Sequence, residues 1–85
     1  FEQIANAAGT ALALTNLAIL AIEQERATDG VDNASKAKSL LMASGNRMLL
    51  GLASVVLGEA HLAAGDTHLA AREFEWIAQA YTESN

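Results

Sequence analysis

The chain contains no cysteine and no proline, and only 5% of its residues are aromatic. Without cysteine there is no disulfide framework, thiolate metal site or thiol nucleophile. Without proline no helix interior is broken. Few β-branched and aromatic residues argue against strands. Basic residues are also scarce, with five against ten acidic ones and a net charge of -5. Such a surface disfavours phosphate backbones and anionic membranes, so neither nucleic acid nor a lipid headgroup layer is expected as partner. The glycines are scattered and form no phosphate loop.

Alanine and leucine dominate instead, with 19 and 12 copies. Both carry a low helix cost, and the reading is all-α. Alanine lets helices approach closely but removes little apolar area, so the core is expected to be thin. Eighty-five residues are enough for one domain, 1–85, and no more. The first residue is Phe rather than Met, which suggests a processed chain or a piece of a longer one.

Ile4 to Ile22 carries no charge over nineteen residues, the length of a membrane-span candidate. Its content argues against a span. Asn6, Gly9, Thr10, Thr15 and Asn16 interrupt it, seven positions are alanine, and the flanks are Glu2, Glu23 and Glu25. No Trp or Tyr marks an interface and no Lys or Arg anchors an end. A helix over about 2–27, buried on most sides or shared between subunits, is expected. Ala27-Thr28-Asp29-Gly30-Val31-Asp32-Asn33 then reads as a turn, with Asp32 or Asn33 capping a helix over 34–43. Ser44-Gly45-Asn46 is the second break, with Asn46 as N-cap. A third helix follows over 47–64, with Leu49, Leu52, Val56, Leu57, Ala60 and Ala63 at helical spacing. Gly65-Asp66 ends it. A fourth covers 67–82, with Ala70, Phe74, Ile77, Ala78 and Tyr81 on one stripe. The short connections predict four antiparallel helices in two hairpins, with a four-helix bundle as the alternative.

The chain also matches itself. A shift of 35 aligns Leu14 with Leu49, Leu17 with Leu52 and Gly30 with Gly65; a shift of 34 aligns Asp32 with Asp66 and Leu40 with Phe74. Repeat-like units over about 12–45 and 46–82 follow. Leu57-Gly58-Glu59-Ala60-His61, then Gly65-Asp66, Ala70, Phe74 and Tyr81, resembles a tetratricopeptide repeat, a helix–turn–helix unit of about 34 residues. That family has Leu-Gly in its first helix, Gly-Asp at the turn, then Ala and a large aromatic four residues on. The sequence departs from it where His61 stands for Tyr, Ser54 for a bulky aromatic, and Glu23-Gln24 roughly for the first unit's Leu-Gly.

The resemblance implies two stacked hairpins. Gly58 would allow close helix approach, Ala70 would occupy the tight crossing and Phe74 would fill the gap beside it. It also implies a concave face that holds a peptide or protein. On that face Leu52, Val55, Glu59 and Leu62 would meet the partner, with first-helix counterparts near Leu17, Leu20 and Gln24. The implied role is a non-enzymatic interaction scaffold, in a regulatory or assembly protein of bacterial type. No compartment is fixed, though the cytoplasm is preferred.

Two further readings compete: a homo-oligomer formed through the uncharged first helix, and a ligand-sensing pocket between hairpins. Chemistry is not expected. His61 and His68 flank the Gly65 turn with Glu59 and Asp66 nearby, but without metal-ligand spacing. Ser35, Ser39, Ser44 and Ser54 sit in no nucleophile motif. Glu23/Glu25 and Glu73/Glu75 are spaced by two and point to different helix sides. No catalytic residue, metal or cofactor is assigned. Trp76 and Tyr81 are expected to close the edge of the core.

Overall fold

The computed structural model describes residues 2–82, with side chains from residue 6 onward. Four helices follow one another: α1 (Glu2–Glu23), α2 (Ala27–Ser44), α3 (Arg47–Ala63) and α4 (Thr67–Thr82). There is no strand among the described residues. α1 packs on α2 and α3, α2 on α3, and α3 on α4. Among the described residues α1 and α4 do not meet. The four helices therefore form an open stack of two hairpins, not a closed ring. The result is a slab of 38 × 29 × 14 Å.

Small side chains set the helix spacing. The core holds Ala11, Ala18, Ala34, Ala37, Ala53 and Ala60, all without exposed surface, closed by Leu41, Val56 and Leu57. Leu14, Leu40, Leu49 and Leu50 seal one end, and Ile22 and Val31 the other. With alanine at the crossings the helices approach closely, and the apolar contribution comes from the few larger residues around them.

The second and third helices end where expected, before Gly45 and Gly65, and Asn46 caps α3 by accepting the Leu49 N–H at 3.1 Å. The first break differs from its expectation. It lies at Gln24-Glu25-Arg26, and α2 begins at Ala27. Asp32 and Asn33 are therefore inside α2 and cap nothing. Gly30 is buried in the middle of a helix turn. A Cβ there would lie 3.1 Å from Ile22 Cγ1 and 3.3 Å from the Ala18 carbonyl oxygen. Its lack of a side chain serves the α1–α2 crossing, not a turn.

The turn itself is made by a glutamate. Glu25 has φ 62, left-handed backbone that an L-residue adopts at a cost of about 1 kcal/mol. Three backbone bonds hold it: Gln24 N–H to Leu20 at 3.0 Å, Glu25 N–H to Ile22 at 3.1 Å and Arg26 N–H to Ala21 at 2.7 Å. The second hairpin repeats them. Ala64 donates to Ala60 at 2.9 Å, Gly65 to Leu62 at 3.0 Å and Asp66 to His61 at 2.8 Å. Every pair is displaced by 40 residues. The structural repeat is therefore 40, and the 34/35 register of the sequence is corrected. Leu17-Ala18 stands where Leu57-Gly58 does, and Gly30 where Ala70 does.

Candidate functional site

Leu52, Val55, Glu59 and Leu62 succeed one another at three, four and three residues along α3, which aligns them in one stripe. All four are exposed, while Ala53, Ser54, Val56, Leu57, Gly58 and Ala60 between them are buried. α3 is thus wrapped by neighbours except along this strip. Three branched apolar side chains lie in water there, with one carboxylate among them. Met48, one helical turn before Leu52, extends the strip and is 84% exposed.

The 40-residue register assigns the matching positions on α1. They are Leu12 and Ile19, both exposed, with Thr15 and Ile22 between and after them. Thr15 is buried and its hydroxyl donates to the Ala11 carbonyl at 2.8 Å. Leu17, Leu20 and Gln24, the counterparts expected from the 35-residue shift, do not join this strip. Leu17 and Leu20 line a surface depression with Asp29, Asn33 and Lys36 of α2, on the outer end of the first hairpin. The misplacement follows from reading Gly30 as a turn. Leu12 and Ile19 are hidden by the same error; Met48 lies on α3 itself, where the three-to-four-residue spacing leads back to it from Leu52.

Gly58 is buried, and an added Cβ would meet the Phe74 ring at 2.6 Å. Ala70 is buried at the start of α4. Gly51 repeats the device one level away, where a Cβ would lie 3.0 Å from the Tyr81 hydroxyl and 3.1 Å from its ring. The Tyr81 hydroxyl donates to the Arg47 carbonyl at 2.5 Å, and the Arg47 guanidinium lies 4.4 Å from the ring centre. Arg47 also donates to the Ala80 carbonyl. Across the other edge, Lys38 of α2 contacts Glu73 of α4 at 2.7 Å and lies 4.2 Å over the Trp76 ring. Lys38 and Glu73 side chains are 19% and 11% exposed, so the pair is largely desolvated. Lys38, Glu73 and Trp76 thus tie together two helices that share no backbone contact. Tyr81 thus covers α3 at Gly51, and Trp76 lies under Lys38 at the α2–α4 edge.

His61 is half-buried and His68 exposed. Among the described residues no group of three or more His, Asp or Glu converges on a metal position. A depression of about 460 Å³ lined by Leu14, Ser35, Lys36, Ser39 and Leu40 lies on the first hairpin, and not between the two hairpins. α1 contains one window, Asn6–Glu23, apolar and long enough to cross a membrane by length and composition; 22% of it is buried. Compared with protein-family models, curated proteins and solved structures, the chain finds no match in any of the three.

Proposed function

We propose that this chain is a non-enzymatic, tetratricopeptide-like scaffold that binds a segment of another protein along the exposed strip of α3. The observation that carries the reading is the strip itself. Leu52, Val55 and Leu62 stay in water on a helix whose other sides are packed, with Glu59 set among them. Apolar side chains in such a row suit the apolar face of a partner segment. A lone carboxylate among them suits a partner lysine or arginine, whose long apolar stem covers the leucines while its charge meets Glu59. The resemblance over residues 46–81 supports the same face, and so does the open stacking of two hairpins with identical turns.

The reading is tested by panning a random peptide library against the intact chain. Selected peptides should combine two or more apolar residues with a Lys or Arg at helical or extended spacing. Their affinity should fall by at least about tenfold in Glu59→Arg and in Leu62→Asp, a loss of about 1.4 kcal/mol or more. Circular dichroism should remain unchanged, since both side chains are exposed. Peptides that bind the folded variants as well as the parent chain would remove the proposed groove.

A further inference from the structure

The two hairpins repeat each other's backbone but not each other's exposure. Leu57 is 5% exposed because α1 and α2 cover it. Its counterpart Leu17 is 51% exposed. Leu20 is exposed where its counterpart Ala60 is buried, and Ala13 where Ala53 is buried. One side of α1 thus carries the surface type that, on α3, is covered by a helix pair of this same chain. It lies away from the α3 strip and is independent of the binding face proposed above.

The side has a second property. From Asn6 to Gln24 it carries no charge, and its sizes are graded. Asn6, Thr10 and Ala13 stand at one end, and Leu17, Leu20 and Gln24 at the other; all six are exposed. Turning the stripe end over end about the level of Thr15 brings Leu17 over Ala13, Leu20 over Thr10 and Gln24 over Asn6. Large meets small at the first two pairs, and amide meets amide at the third. Such an interface, where one patch meets itself, is what a two-fold dimer requires.

We infer that this stripe seats a second copy of the chain, with the two α1 helices antiparallel about a two-fold axis near Thr15. The stripe is about 27 Å long at 1.5 Å per residue. Pairing two helices over that length covers on the order of 1,000 Å² in total, at the lower end of specific interfaces. No charge lies on the stripe itself; beside Leu17 and Leu20, Asp29 and Asp32 lie together with Arg26 and Lys36, so the bordering charges are balanced in sign. A lipid occupant fits less well. Asn6, Thr10, Asn16 and Gln24 would lose water without gaining partners in hydrocarbon, which costs several kcal/mol per group.

Sedimentation velocity of the intact chain over about 1 to 100 μM should show a concentration-dependent monomer–dimer equilibrium, with the exchange typical of a small interface. The double variant Leu17→Glu/Leu20→Glu should raise the dimer dissociation constant by at least about a hundredfold, with helical content retained. Ala13→Arg, which alters one small residue, should do the same if the double variant folds poorly. Leu52→Glu, on the other face, should leave the equilibrium unchanged. The chain has no native cysteine, so pairing direction can be read by oxidation. A mixture of Ala13→Cys and Leu17→Cys chains should form the mixed disulfide in preference to either like pair. A monomer at every concentration, a dimer indifferent to the stripe variants, or like-with-like disulfides from parallel pairing would overturn the inference. So would binding to phosphatidylcholine vesicles in place of self-association.

Discussion

The first and second hairpins use the same turn, the same 40-residue register and opposite chemistry. At the turn, the second places Gly65 in left-handed backbone where the first places Glu25. At the crossing, the second puts glycines on its leading helix, so that Phe74 and Tyr81 of α4 lie over Gly58 and Gly51. The first puts its glycine on the following helix, so that Ile22 of α1 lies over Gly30. The comparison teaches that close approach needs one helix to be bare at the crossing, and that either helix can be the bare one. It also separates two roles for a leucine: Leu57 holds the stack together, while Leu17 is left over for a partner.

The largest expected effect tests that separation. Leu57→Ala should destabilise the chain by about 3 kcal/mol in urea denaturation, because the side chain is buried and the backbone around it is held by two other helices. Leu17→Ala, measured at high dilution, should cost less than about 1 kcal/mol because half of that side chain is already in water. Equal losses would mean that the two hairpins are not distinguished in this way.

Next in size is the bridge between the hairpins. Lys38→Ala should cost about 2 kcal/mol, since it leaves the Glu73 carboxylate desolvated without its partner and uncovers Trp76. The double variant with Glu73→Ala should recover part of that loss. A double-mutant cycle on denaturation free energies checks this. Additive losses would mean that the two side chains do not act together.

Gly58→Ala should be net destabilising by about 1 kcal/mol. The gain in helix propensity is about 1 kcal/mol, and displacing the Phe74 ring should cost about 2 kcal/mol. Thermal melting of Gly58→Ala in a Phe74→Leu background gives the sharper reading, because the alanine should there become neutral or favourable. The smallest effect is at the first turn. Glu25→Gly should stabilise by up to about 1 kcal/mol by relieving the left-handed glutamate, less the entropy that glycine adds to the unfolded chain. A lower melting temperature in that variant would show that the Glu25 side chain contributes something the turn geometry does not reveal.

Much of the fold was legible. Alanine, leucine and the absence of proline give helices, and Gly45-Asn46 and Gly65-Asp66 give two of the three breaks, with Asn46 as the cap of α3. Phe74 over Gly58 and the face of Leu52, Val55, Glu59 and Leu62 are implied by the resemblance over 46–81, whereas helical spacing alone groups Leu52 with Val56, Leu57 and Ala60, which are buried. The first break was not legible, because a turn signal and a packing requirement use the same residue. Asp29-Gly30 reads as a turn by composition, yet Gly30 sits inside α2, where a Cβ would press on Ile22 at 3.1 Å and on the Ala18 carbonyl at 3.3 Å. The true turn uses Glu25, which carries no such signal. Nor could self-matching correct the error: the 40-residue shift aligns Asn6 with Asn46, Leu12 with Leu52, Ala13 with Ala53 and Leu17 with Leu57, fewer identities than the 35-residue shift gives.

The sequence by itself determined the helical class and two of the three breaks, because backbone preference and turn chemistry are local properties. Only the tertiary structure decided the register between hairpins and the fate of the α1 leucines. Whether a leucine is buried or free depends on which neighbour arrives, and that is settled by distances between segments far apart in the chain.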